Sequence, residues 1–454
     1  MNESAVENLI RRAVEEICTC AESSIKHNLT FSDIVSDTKQ TLNNVACGLL
    51  EWIFGAVEQS FDGSRDKHQI IVRNRNKERN LLTEFGSVRL RHTLYYDKQQ
   101  ERYFFATDEL LQIEKYSRIE NNMQAKLVAD ATLTSFGKAS SLSDNAVSRQ
   151  TVYNLVRKLK NIDAPAPKTS WNSQDIYIEA DEDHIHLNDG NPAEMKLVYV
   201  HEGRDNTKER TILKNPHYFV SIDSDPDQIW NDVSDYILTN YRAYKANIHL
   251  SGDGAAWIKA GIRIMPHVQY HLDKFHLHKA LINITSGRKA LQTRIRRSIY
   301  NGEERDVGTL IQEICAGEPM LSRRNEIMRS AYYVQSNMQF IQKNNCCSAE
   351  GHVSHVLSAR LSSRPMAWSR DGAERIAKLR AYMFNKGDFQ QLMHVGKISK
   401  ENDFEFQNQP HKKNKWITQQ GTREESTPIL AYSIPGIEKI GDIFAQTIRN
   451  LIKN

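Results

Sequence analysis

A chain of 454 residues has room for two to four domains at the usual size of about 100–200 residues each. Its 60 Lys and Arg against 56 Asp and Glu leave a net charge of +4, too balanced to demonstrate a nucleic-acid partner by itself. No CxxC pair, no signal peptide and no apolar run near the roughly 18 residues of a membrane span argue against disulfide, zinc and membrane classes, and lead us to expect a reduced, soluble, cytoplasmic protein.

Residues 1–75 form the first expected unit. Val6, Leu9, Ile10, Val14 and Ile17, then Leu42, Val45, Leu49, Leu50, Ile53 and Phe54, recur at helical spacing, so this region should pack on itself or on a second subunit. In the second unit, 76–115, the run Leu82 to Tyr96 alternates, turns at Asp97-Lys-Gln-Gln100 and returns as Arg102-Tyr-Phe-Phe105, a β-hairpin that could lie on DNA or simply be a small sheet. In the third, 116–165, Ala125–Phe136 and Lys138–Leu142 read as helical. Ser148 then caps a helix whose apolar face is Val152, Leu155, Val156 and Leu159. Arg149, Gln150, Thr151, Tyr153 and Asn154 are left outward near its start, where the second helix of a helix-turn-helix meets bases and phosphates; a plain helical pair is the competing reading. Asp163-Ala-Pro-Ala-Pro-Lys-Thr-Ser170 is a stiff linker.

From residue 175 the chain reads as three strands (175–187, 197–200 and 218–222), then a helix starting at Ser224-Asp-Pro226 and carrying Ile229, Val233 and Ile237. A strand at 246–250, a short helix from Ala255 to Ile262, a strand at 268–272 and a longer helix from Phe275 follow. Three acids sit in this stretch and beyond it: Asp181 on the first strand, Asp253 in Leu250-Ser-Gly-Asp-Gly254, and Glu350 at the start of a helix in Ser348-Ala-Glu-Gly-His352. Hard cations such as Mg²⁺ need only a few rigidly held carboxylates, because substrate phosphate and water fill the other positions. Converged by the fold, the three would form a carboxylate cage for divalent metal. Glu182 and Asp183 compete with Asp181, since one residue of register flips a side chain to the other face.

At this point the chain resembles the DDE transposases, and more closely the ISLre-type insertion-sequence transposases, a bacterial family related to the Mutator-like group. The resemblance rests on Ile178-Glu-Ala-Asp-Glu-Asp-His184, Lys196-Leu-Val-Tyr-Val-His-Glu-Gly203, Leu250-Ser-Gly-Asp-Gly-Ala255, Leu272-Asp-Lys-Phe-His-Leu277, Ser348-Ala-Glu-Gly-His-Val-Ser-His355 and Arg360-Leu-Ser-Ser-Arg-Pro-Met366. It implies an α/β, ribonuclease-H-like catalytic domain over 170–400, a mixed five-stranded sheet, with Asp181, Asp253 and Glu350 as ligands of Mg²⁺ or Mn²⁺, two ions in all. It further implies an all-helical insertion, here about 285–345, which accounts for the 96 residues between Asp253 and Glu350. Asp273 and His276 match the Asp/Cys-x-x-His signature of the Mutator-like group, with His276 supporting the active site. The activity implied is transposition: cleavage at element ends and strand transfer into target DNA, by a homodimer or higher oligomer in a nucleoid-associated setting.

Clustered basic residues, Arg288, Lys289, Arg294, Arg296, Arg297, Arg323, Arg324, Arg329, Arg360 and Arg364, suggest a phosphate-tracking surface on either side of Glu350; a solvated helix face is the bland alternative. Trp257 and Trp368 read as core aromatics, and His352 and His355 as possible phosphate donors within a turn of Glu350. Cys346 and Cys347 lack zinc-ligand spacing to them. Residues 401–454 form a C-terminal region. A metal-dependent nuclease without strand transfer and a non-catalytic DNA-binding regulator stay open as alternatives.

Overall fold

The computed structural model describes residues 3–26, 29–162, 173–205, 207, 212–222, 225–241, 246–265, 267–343, 347–364 and 366–393. The linker at 163–170, Ser224, Cys346 and the C-terminal region 401–454 lie outside them. The chain forms two compact units, one extending to Lys126 and one comprising Leu127–Leu392.

In the first unit, α1 (Glu3–Lys26) and α2 (Phe31–Ser64) are the expected helices. Thr30 and Asp33 form a capping box that starts α2, each side chain bonding the other's backbone N–H. Phe54 of α2 packs on Leu81, Val88 and Leu90, but Val14, Ile17, Leu42 and Ile53 stay exposed, so the apolar stripe is only partly covered. A three-stranded antiparallel sheet follows: β1 (Ile70–Thr83), β2 (Gly86–Asp97) and β3 (Arg102–Phe105). The expected single strand over 82–96 is therefore broken. Thr83 pairs with Gly86 across a two-residue turn, and Gly86 adopts φ +135°, open to glycine and costly for other residues. A short α3 (Ala106–Leu110) and α4 (Asn121–Leu133), in which the division between the units falls, lead onward.

In the second unit, α5 (Phe136–Leu142) and α6 (Arg149–Lys158) are joined by a turn in which Asp144 and Asn145 take positive φ. The main sheet is built from β4 (Asp175–His186), β5 (Pro192–His201), β8 (His217–Ile222), β9 (Asn247–Gly252) and β10 (Val268–Leu272); between β5 and β8, β6 (Arg204–Asp205) and β7 (Ile212–Leu213) form a two-residue ribbon. The order across the sheet is β10-β9-β4-β5-β8, with β4 and β10 parallel to β9 and the other pairs antiparallel, which makes a mixed sheet.

The period of two along a strand gives this sheet two unlike faces. Ile176, Ile178, Ala180, Val198, Val200, Ile248 and Leu250 are buried against Ile229, Trp230, Val233 and Ile237 of α7 (Pro226–Asn240) and Ile258 of α8 (Ala256–Ile264). Each buried Ile, Val or Leu among them contributes roughly 1.5–3 kcal/mol, and Ile178→Ala would cost roughly 2–5 kcal/mol. Their alternating neighbours Tyr177, Glu179, Asp181, Asp183, Tyr199, His201, His249 and His271 make the opposite face polar.

The chain continues through α9 (Lys274–Thr285) into the helical insertion, α10 (Lys289–Tyr300), α11 (Glu304–Ala316) and α12 (Leu321–Ser336). Leu281, Ile295, Ile299, Leu310, Ile311, Ile314 and Ile327 form its core with Leu272 of β10, while Met328 is exposed. Next come α13 (Ala349–Val353), a π-helical turn over Ser354–Ser358, α14 (Ala359–Leu361) and α15 (Arg370–Phe384). A π turn leaves carbonyls poorly matched to its own N–H groups. Buried Arg380 of α15 takes up two, donating to Val356 O at 2.8 Å and to His355 O.

Candidate active site

Glu179, Asp181 and Asp183 alternate onto the polar face of β4 and are 2%, 6% and 9% exposed. Buried carboxylates need partners. Glu179 has five: His201 Nε2 at 3.1 Å, Arg204 Nη2 at 2.8 Å, Tyr199 OH at 2.5 Å, and the backbone N–H and hydroxyl of Ser348 at 2.5 and 2.9 Å. Burial alone would push its carboxyl up, but the bond and charge of His201, with Tyr199 and the Ser348 N–H, outweigh it and hold the group well below the usual carboxylate range. Asp183 accepts the Ser362 hydroxyl at both oxygens, at 3.0 and 2.8 Å. Glu182 turns to the other side and accepts the indole N–H of Trp257.

Asp181 is left between the two braced acids, accepting the Glu182 N–H at 2.9 Å. Burial, reinforced by the charges of Asp253 and Glu350, pushes its carboxyl up to about 7 against the opposing pull of the Glu182 N–H and His276. Ligand atoms of Asp181, His276 and Glu350 all lie within 4.8 Å of one another. His276 Nδ1 sits 2.9 Å from Asp273 Oδ2, and the other Asp273 oxygen caps the start of α9 by accepting Phe275 N–H. That bond to Asp273 raises the imidazole pKa; burial opposes it, and Asp181 and Asp253 add to it.

Asp253 stands on the turn from β9 to α8, beside this group. Its Oδ1 accepts the Ala255 N–H at 2.8 Å, and its carbonyl accepts the Tyr333 hydroxyl at 2.6 Å. Gly254 follows at φ +95°, with Asn337 so close that a Cβ there would lie 2.8 Å from its Oδ1. Asn337 in turn accepts Lys259 Nζ at 2.8 Å and donates to Tyr333 O. The insertion thus grips the Asp253 turn.

Two carboxylates and an imidazole gathered this closely, with a third acid, Asp253, adjacent and the Asp181 carboxyl pushed up by burial and by its neighbours' negative charge, fit a divalent cation. The carboxylates suit Mg²⁺ or Mn²⁺; the imidazole suits Mn²⁺ less than it suits softer metals.

The presumed recognition residues fall on α6. Ser148 caps it, accepting Thr151 N–H at 3.2 Å, and Val152, Leu155, Val156 and Leu159 are buried. Arg149 and Gln150 are exposed, Gln150 bonding Asn154 at 3.1 Å. Thr151 and Tyr153 are half-buried, the latter edge-on to Phe136. Arg364 is exposed, but Arg360 requires a correction: it is 4% exposed, stacks 4.8 Å from the Trp368 ring and donates to Ala131 O, and burial pushes its guanidinium down to about 10. It ties α14 to α4 and offers no surface to DNA. His352 also faces inward, to Tyr218 OH at 3.0 Å, whereas His355 is exposed. Trp257 and Trp368 are core aromatics, each 8% exposed. Arg204, Tyr333, Ser348 and Ser362 went unnoticed as site residues in the sequence, and only the period-two run Glu179, Asp181, Asp183 could have pointed to the bracing acids.

Among the described residues, no helix is long and apolar enough to cross a membrane. A family profile described as "Uncharacterised protein family (UPF0236)" matches residues 24–397. Among similar proteins, the UPF0236 protein TTE0610/TTE0881/TTE1053/TTE2432 of Caldanaerobacter subterraneus subsp. tengcongensis is 32% identical over 388 residues, 83% of each chain. A second from that organism, whose name joins eleven locus designations beginning TTE0033/TTE0744, is 32% identical over 387 residues, again 83% of each. The "UPF0236 protein in vanSb 3'region" of Streptococcus gallolyticus is 24% identical over 334 residues, 67% of this chain and 72% of its own.

Proposed function

The chain belongs to the UPF0236 family, and we propose that it is a metal-dependent DNA transposase of the ISLre type, with a ribonuclease-H-like catalytic domain. The observation that carries the proposal is the cluster of Asp181, His276 and Glu350 within 4.8 Å, with the charge of Asp253 bearing on it. The strand order β10-β9-β4-β5-β8, with the acids on β4, after β9 and on a helix after β10, supports the ribonuclease-H-like reading. A relative whose name joins eleven loci of one genome supports repeated copies of one gene, as insertion sequences have.

Asp181, Asp253 and Glu350 would hold the cation, two ions in all. When bound, divalent metal neutralises charge on the scissile phosphate and stabilises attacking and leaving oxygens. The rest is positioning by the chain. His276, held by Asp273 at 2.9 Å and with its imidazole pKa raised by that bond, would present its ring beside the carboxylates and the scissile phosphate. Water adds to phosphorus as the P–O3′ bond breaks, leaving a 3′-hydroxyl and a 5′-phosphate. That 3′-oxygen then bonds to a target phosphorus while the target's P–O3′ bond breaks, the displaced oxygen taking up a proton. Arg149 and Gln150 on α6, together with Arg364, would hold double-stranded DNA, element ends and target alike.

The test is incubation of the full chain with a labelled duplex bearing its element end, a scrambled duplex and a target plasmid, with Mg²⁺ or Mn²⁺ and without. Cleavage of the end with joining to plasmid, dependent on metal, is the expected result. Nicking without joining would favour a nuclease of the same fold, and DNA binding with no cleavage a regulator.

A further inference from the structure

Along the polar face of β4 the three acids form rungs with the helical segment that begins at Ala349. Glu179 meets Ser348, Asp183 meets Ser362, and Asp181 between them faces Glu350. The lower rung is offset by equal steps: Glu179 precedes Asp181 by two residues, and Ser348 precedes Glu350 by two.

We infer that Glu179 is a positioning residue that fixes the start of the Glu350 helix, through Ser348, at the height on β4 where Glu350 faces Asp181. The inference rests on reading that cluster as a metal site.

Three observations carry it. Ser348 occupies the N-cap position of α13, yet its side chain caps nothing in the helix; its hydroxyl donates to Glu179 Oε2 at 2.9 Å and its N–H at 2.5 Å. A serine there ordinarily closes its own helix onto a free N–H. Here it closes the helix onto the sheet. Secondly, the regular α-helical bonding of α13 gives way after five residues to the π turn, so the turn that carries Glu350 has no long regular helix behind it to set its place. Thirdly, Glu179 itself is locked by Arg204, His201 and Tyr199, and Arg204 Nη2 also donates to the Ser348 hydroxyl at 3.2 Å. A buried ion pair contributes little net stability compared with an apolar replacement, because desolvation offsets attraction; the role inferred for this one is to fix the geometry of Ser348.

The experiment uses the full chain and four variants, Ser348→Ala, Ser348→Thr, Glu179→Gln and Asp181→Asn. Two quantities are measured: hydrogen exchange of the peptide covering 347–353 without metal, and Mn²⁺ binding followed by electron paramagnetic resonance. Ser348→Ala keeps the backbone bond to Glu179 and should stay folded. The expected result is faster exchange across 349–353 in Ser348→Ala and Glu179→Gln, with Mn²⁺ affinity lowered about 10–100-fold, as for other residues that orient a metal ligand. Ser348→Thr, which restores the hydroxyl, should recover both. Exchange and affinity unchanged in folded Ser348→Ala would overturn the inference. So would faster exchange with unchanged affinity, which marks a purely structural tie. If wild type and Asp181→Asn bind Mn²⁺ equally, the metal-site reading itself falls, and this inference with it.

Discussion

Tyr333, near the end of the last helix of the insertion, donates its hydroxyl to the backbone carbonyl of Asp253 at 2.6 Å. A residue 80 positions away thereby fixes the turn on which a candidate metal ligand stands. Tyr333→Phe keeps the ring and removes one bond, so stability should fall by about 1 kcal/mol. End cleavage should fall by more than that change in folded population explains. Thermal melts and cleavage rates on one preparation check this; unchanged cleavage would mean that the turn holds its shape without the insertion.

Arg149 and Arg360 should behave in opposite ways. Arg149→Ala removes an exposed cation from α6 and should weaken DNA binding, lowering the salt dependence by about one phosphate contact, with no change in melting temperature. Arg360→Ala removes a buried guanidinium stacked on Trp368 and leaves the Ala131 carbonyl without its donor, so it should cost roughly 3 kcal/mol of stability. Salt titrations of DNA binding and denaturant melts separate the two. A DNA-binding loss in folded Arg360→Ala equal to that in Arg149→Ala would contradict the assignment.

His217 gives the second unit a pH dependence of known sign. Burial pushes its imidazole down from 6.5 to about 4, so the folded state resists a proton that the unfolded chain accepts. Its contribution is complete above pH 6.5 and is lost as the pH falls towards 4, by at most about 3 kcal/mol. His217→Phe keeps a ring against Tyr236, which His217 stacks upon at 4.3 Å. The stability gap between the two proteins should therefore shift in favour of the variant between pH 6.5 and 4.5. A constant gap would show that His217 titrates normally.

The main sheet was legible because its strands carry contrasting faces: Ile176, Ile178 and Ala180 alternate with Tyr177, Glu179 and Asp181, and Trp230 and Val233 mark the helix that covers the apolar side. β1 was missed because Arg73 to Glu78 is polar and exposed, with irregular register, so it shows no apolar period. The turn at Glu84 and Phe85 was missed because the alternation of Leu82 and Val88 runs on across it. Asp181 and Asp183 share one face and could not be separated by pattern; Ser362, distant in sequence, separates them in the fold. Arg360 read as a surface cation because its partners, Ala131 and Trp368, are also non-local.

The most direct measurement is cleavage of a labelled element end by Asp253→Asn with Mg²⁺ or Mn²⁺, alongside DNA binding and a melting curve on the same preparation. Asparagine keeps the size and the carbonyl that accepts the Ala255 N–H but loses the charge that would hold metal. The account predicts a folded protein that binds DNA nearly as wild type does and neither cleaves nor joins. Near-normal cleavage by the folded variant would contradict it.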